Sequence, residues 1–118
     1  MNRDQYIKFC RSIPGASLDQ PFEEDFSSWI ARHSDTGKWF AAILEHNGRR
    51  FVNLKCDPIE SDFLRSAFEG ILPAYHMNKT HWNTVCFESD VPDELLKELT
   101  MVSFRLTGKK KSAVSTKK

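Results

Sequence analysis

The sequence predicts an α+β fold: an antiparallel sheet meander of four to six strands with helices packed on one face. Three observations predict it. Asn47-Gly48 stands between two apolar runs and is the strongest short hairpin signal available. Three other segments carry apolar residues at helical spacing. The strand-like runs are joined by short turns, which favours antiparallel neighbours whose apolar face the helices must cover.

The first helix is expected over residues 2–13. Asn2 with Gln5 resembles a capping box, Tyr6, Phe9, Cys10 and Ile13 form one stripe, and Pro14-Gly15 ends it. The acidic segment 19–25 reads as a loop or an edge strand. Three strands are expected next, at 28–33, 38–45 and 50–56, with Asp35-Thr36-Gly37 as the first turn. In 38–45 one parity holds Trp39, Ala41 and Ile43 and the other Phe40, Ala42 and Leu44, as in a strand covered on both faces. In 50–56 Val52 and Leu54 face one way and Phe51, Asn53 and Lys55 the other.

Asp57 and Pro58 open a second helix with an N-cap and a first-turn proline, and Glu60 completes a capping box. Its expected buried stripe is Ile59, Phe63, Ala67 and Phe68, with Gly70 at the C′ position. Residues 71–78 are part strand and part loop, and 82–88 reads as a strand. Asp90 is the expected cap of a third helix, with Pro92 in its first turn and Leu95, Leu96, Leu99, Val102 and Leu106 on its apolar face. The domain is expected to span 1–107. Residues 108–118 form a lysine-rich tail without apolar period, expected to be disordered.

Composition narrows the class. The chain has 118 residues, 40% apolar, with nine Phe and three Trp, enough for a core without staples. No stretch approaches the roughly 20 apolar residues that span a bilayer, and the first nine residues lack a secretory apolar segment. Three widely spaced cysteines, Cys10, Cys56 and Cys86, are an odd set for a disulfide framework. The expectation is a cytoplasmic protein with reduced thiols and no membrane partner. The net charge of +1 conceals an asymmetry. The last eleven residues hold five lysines and no acid, leaving twelve basic and sixteen acidic residues in the body, a net of −4.

The densest polar stretch runs from Tyr75 to Thr84. His76, His81 and Cys86 are spaced by five, which turns neighbours to opposite faces of a strand and roughly 140° apart on a helix. No metal site is expected from them, and no cofactor. There is no Gly-rich phosphate loop, GxSxG, HExxH or CxxC. No enzyme is expected, the alternative being a small-molecule enzyme using His76 or His81. The remaining readings are a rigid corner, in which Asn, Thr and His satisfy backbone groups, and a surface that recognises bases and phosphates.

The stretches Val52-Asn53-Leu54-Lys55-Cys56-Asp57-Pro58, Tyr75-His76-Met77-Asn78-Lys79, His81-Trp82-Asn83-Thr84-Val85 and Val91-Pro92-Asp93-Glu94-Leu95-Leu96 resemble the signature of the MmcQ/YjbR family. Pro14-Gly15 and Pro21-Phe22 fit the same pattern, and the likeness covers about 6–106. Phe104 departs from it, since a Tyr is common there. The resemblance implies a CyaY-like α/β fold with a double-wing motif and DNA as partner, a function inferred for that family from fold likeness.

On that basis the hairpin tips at 35–38 and 46–49 are the expected wings. Lys38, Arg49 and Arg50 are the expected phosphate contacts. Asn53, Lys55, His76, Asn78, Lys79, His81, Trp82 and Asn83 are the matching motif residues, with base recognition expected around His81-Trp82. The alternative is a protein-interaction or regulatory module docking an unknown protein partner on the sheet face that bears Phe51 and Trp82. Nucleic-acid recognition by the body requires its cations to converge on one surface.

Overall fold

The computed structural model describes residues 1–109 except Phe26. The expected tail therefore lies, from residue 110 onward, outside the described residues. The element order is α1 (Arg3–Arg11), β1 (Ala16–Asp19), β2 (Trp29–His33), β3 (Trp39–His46), β4 (Arg49–Lys55), α2 (Pro58–Ala67), β5 (Ile71–Pro73), β6 (Trp82–Cys86) and α3 (Asp93–Thr107). The six strands form one antiparallel sheet in the order β1-β2-β3-β4-β6-β5. The α+β fold read from the sequence is the fold observed.

Local chemistry explains most boundaries. Asn2 and Gln5 exchange both capping-box bonds at the start of α1. Gly15 follows the helix at φ 86°. Asn47 and Gly48 both have positive φ, at 52° and 77°, and Glu45↔Arg50 and His46↔Arg49 close a two-residue loop around them. That geometry matches the twist of the flanking strands. Asp57 caps α2 by accepting from the amides of Ile59 and Glu60, with Pro58 in the first turn.

The helices cover one face. There Tyr6, Ile7, Cys10 and Ile13 meet Ala31, Phe40, Ala41, Ile43, Val52, Leu54, Val85 and Leu96 in one core. The buried side of α3 is Leu96, Thr100, Ser103 and Thr107, not the expected leucine stripe, and Leu106 is exposed. Three small hydroxyl residues let the helix lie close to the sheet, and each hydroxyl is satisfied. Thr100 Oγ1 donates to the carbonyl of Leu96 and accepts from Tyr6 Oη at 2.7 Å. Ser103 Oγ donates to the carbonyl of Phe40 and accepts from the amide of Lys55. Thr107 Oγ1 donates to the carbonyl of Ser103, so His33 carries its proton on the Nε2 that faces it at 2.9 Å.

Further expectations are corrected. Ile59 and Phe63 are 83% and 67% exposed and Ala67 is exposed, while α2 buries Ser61 and Leu64, with Phe68 packed partly on the core. Asp90 does not cap α3, whose N-cap is Pro92 without a side-chain bond. Its carboxylate instead accepts from the amides of Glu69 and Gly70, at 2.8 and 2.7 Å. Gly70 serves close approach, since a Cβ there would come within 2.2 Å of Ser89 Oγ. Within the acidic segment only Asp19 belongs to a strand, the edge strand β1.

Trp39 also departs from the face that strand parity gives it. Ala31 pairs with Ala41 but Arg32 pairs with Trp39, so β3 holds one extra residue, Phe40, at that point. Phe40 turns into the core against Phe104, with ring centroids 4.9 Å apart. Trp39 is thereby moved off the face of Ala41 and Ile43 to the opposite one, beside Arg32.

Candidate nucleic-acid interface

The face opposite the helices is not the open polar and aromatic surface that strand parity suggests. Phe51, Asn53 and Thr84 are buried there. The segment after β5 lies over them, held by its own backbone. Thr84 Oγ1 accepts from the amide of Tyr75 at 2.9 Å and donates to Asn53 Oδ1 at 2.6 Å, and Asn53 Nδ2 donates to the carbonyl of Tyr75 at 2.8 Å. Two side chains thus grip both ends of one residue's main chain, as a neighbouring strand would. The Tyr75 ring packs edge-on against Phe51 and stacks on His46, with centroids 5.8 and 4.5 Å away.

The rest of the motif is also largely structural. Asn78 Oδ1 accepts from the amides of Thr80 and His81. Arg65 of α2 reaches across, donating Nε to Asn83 Oδ1 at 2.7 Å and Nη2 to the carbonyls of Lys79 and Trp82. Asn53 and Asn83 are therefore buried and engaged by Tyr75, Thr84 and Arg65. His76 sits at φ 61° against Tyr75, and it, Asn78, Lys79 and His81 are exposed. Sequence reasoning missed Arg65, whose only signal is an arginine on a helix otherwise read as apolar inward.

The expected cations do not converge. Successive hairpins of a meander point to opposite ends, and the eight residues of β3 span about 27 Å at 3.4 Å per residue. Arg49 and Arg50 lie at one end. Arg50 pairs with Glu45 at 3.3 Å, and both arginines line a cleft of about 650 Å³ that also holds Glu69, Glu88 and Asp90. Carboxylates thus offset the positive charge there.

The other end differs. Lys38, Lys55 and Lys109 line a cleft of about 750 Å³ with Trp39, Trp82, Met77 and Leu106. Among the described residues no carboxylate lies within 4.0 Å of Lys38, Lys55 or Lys79. Lys55 pairs in register with Trp82, so Trp39, Lys55 and Trp82 occupy one face of three adjacent strands, β3, β4 and β6. The Trp39 ring is fixed from behind. The Arg32 guanidinium lies 5.7 Å from its centroid, and Phe22 meets it edge-on at 6.4 Å. Arg32 is itself held by both oxygens of Asp19, at 2.8 and 3.2 Å.

With this geometry in view, the chain can be set beside known proteins. A family model described as YjbR matches residues 11–106. The chain belongs to the YjbR family. It is 33% identical over 117 residues to the uncharacterised protein YyaQ of Bacillus subtilis, covering 91% of this chain and 98% of that one. It is 29% identical over 105 residues to the uncharacterised Escherichia coli protein YjbR, covering 89% and 86%. A crystal structure of a Pseudomonas syringae protein superposes with a TM-score of 0.82 at 33% identity, over 92% of this chain and all of that one. A Deinococcus radiodurans protein of the domain family DUF419 gives 0.78 at 31% identity, over 93% and 82%.

In this YjbR-family chain the thiols are held neutral. Burial pushes Cys10 up to about 12, and burial likewise raises Cys56 and Cys86, the latter opposed by nearby Arg49. A neutral thiol is a weak nucleophile and metal ligand. Among the described residues no group of three or more His, Cys, Asp or Glu is placed to hold a metal, and no helix is long and apolar enough to cross a membrane.

Proposed function

We propose that the folded body is a non-enzymatic nucleic-acid-binding module that engages phosphates at the Lys38–Lys55 end of the sheet. The observation that supports this is the contrast between the ends. At one, lysines stand beside two indoles in a cleft that no carboxylate lines, and at the other arginines share their cleft with carboxylates. Affinity for nucleic acid comes mostly from phosphate neutralisation, so the lysine end dominates. The two hairpins act as separate elements, not as a pair of wings straddling one groove.

The alternative, a protein partner on the sheet face bearing Phe51 and Trp82, has less to work with. Phe51 lies under Tyr75.

The test compares Lys38→Gln/Lys55→Gln with Arg49→Gln/Arg50→Gln by fluorescence anisotropy, using labelled DNA at low salt. The lysine pair is expected to weaken binding by more than tenfold and the arginine pair by less than threefold. Equal losses, or no binding by the parent chain at low salt, would overturn the reading.

A further inference from the structure

We propose that the cleft between Trp39 and Trp82 takes an unpaired base, so that the nucleic acid bound is single-stranded. This rests on the nucleic-acid reading above and specifies its substrate class. Trp39 on β3 and Trp82 on β6 flank Lys55 on β4, all on one sheet face. Strands lie 4.7–4.9 Å apart, so two spacings, roughly 9.6 Å, separate the strands that carry the two indoles. Side chains stand about perpendicular to a sheet. Stacked bases are about 3.4 Å apart, so a base between two rings needs roughly 7 Å. Two strand spacings exceed that width, so one aromatic layer has room between the strands that carry the rings.

The rings are prepared for this role. Trp39 has one face backed by Arg32, which Asp19 holds, and is half-buried where it lines the cleft. Trp82 is half-buried and fixed through its backbone, its amide donating to the carbonyl of Asn78 and its carbonyl accepting from Arg65. Among the described residues no ring or cation stacks on Trp82, which leaves its π-face for a ligand. Lys55 at the floor and Lys38 at the rim supply positive charge for the flanking phosphates. A planar group with adjoining anionic charge satisfies all four side chains. Duplex DNA, whose bases are already stacked, presents no free face. Sequence-tolerant stacking with backbone cations is how single strands are held.

The experiment uses the full chain and three probes: a ten-nucleotide deoxythymidine oligomer, the same length of duplex, and free thymidine monophosphate. Intrinsic tryptophan emission and anisotropy are followed together. The oligomer is expected to quench emission and to bind at least tenfold more tightly than the duplex. Trp82→Ala is expected to reduce oligomer affinity by about 5- to 150-fold, and Trp82→Phe to retain most of it. Thermal unfolding of each variant reports its fold, and quenching in the unaltered chain needs no variant at all. Duplex and oligomer binding equally, with no quenching and no effect of Trp82→Ala, would overturn the single-strand assignment. If Lys38→Gln/Lys55→Gln still weakened binding in that case, the broader reading would survive. Free nucleotide binding as tightly as the oligomer would replace the strand with a small-molecule ligand. Absence of binding to all three probes would remove both readings.

Discussion

At the scale of single residues, the core of this chain depends on polar atoms placed where each has one use. Tyr6 is fully buried, and its hydroxyl donates to Thr100, whose own proton is committed to Leu96. Burial raises the Tyr6 phenol well above 10.0 and the neighbouring Cys10 thiol from 9.0 to about 12. Because these folded-state values exceed the unfolded ones, the stabilisation is complete below the unfolded pKa and is lost as pH rises toward the folded value. Unfolding by urea is therefore expected to become easier between pH 9.0 and about 12. Cys10→Ala, less stable at neutral pH because of the cavity it leaves, should show a flatter alkaline decline. Parallel declines in the two proteins would show that this thiol is not responsible. The motif asparagines make a similar point. Asn53 and Asn83 are legible in the sequence as unusual polar residues on strands, but nothing there tells that they face Tyr75 and Arg65 and not a ligand.

At the scale of elements, the helices were readable by their ends more than by their faces. The caps at Asn2 and Asp57 depend on two or three adjacent residues, and both form, although at Asp57 only the aspartate half of the expected box with Glu60 is made. The faces depend on what lies across the gap. Helical periodicity allows Ile59 and Phe63 to point inward, yet α2 turns Ser61 and Leu64 to the core and uses Arg65 to fasten the 78–83 segment. That fastening is testable. Charged hydrogen bonds contribute about 1.5–3 kcal/mol each when buried, and solvent screening reduces this at a half-exposed arginine. Arg65→Met keeps the stem and loses the donors. It is expected to cost about 2 kcal/mol in urea unfolding and to speed amide hydrogen exchange at His81 and Trp82. Unchanged exchange at those two amides would mean the segment holds its place without Arg65. The hydroxyl stripe of α3 was hidden for the opposite reason: Thr100, Ser103 and Thr107 look like surface residues until a sheet carbonyl and amide, a tyrosine and a histidine are seen to meet them.

For the whole molecule, the decisive quantity is where charge sits, not its sum. A body with more acids than bases has no global field for polyanions, and the expected pairing of two basic wings fails because a meander sends consecutive tips to opposite ends. What survives is local. Neutralising three phosphates through Lys38, Lys55 and Lys109 gives a slope of log affinity against log salt near −2 for single strands, at about −0.7 per contact. A chain ending at residue 109 is expected to keep that slope, and the four further lysines of the full sequence, at 110, 111, 117 and 118, should steepen it. A slope of zero after truncation would assign all binding to the last nine residues. The central strands β2, β3 and β4 were legible, because turns and alternation are local, whereas the edge strand β1 and the place of β6 beside β4 were not. The cleft was not, because it unites Lys38 and Trp39 with Lys55 and Trp82 through pairings between strands distant in sequence.

One extra residue in β3 has a consequence for both faces of the sheet. With Phe40 absorbed at the irregularity, the indole next to it stands on the outside of the sheet. Remove that single position and the indole, now next to Ala41, still stands outside opposite Arg32, but the core loses the ring that packs on Phe104. The extra residue thus lets two consecutive side chains, Phe40 and Ala41, both enter the core without drawing the indole in after them.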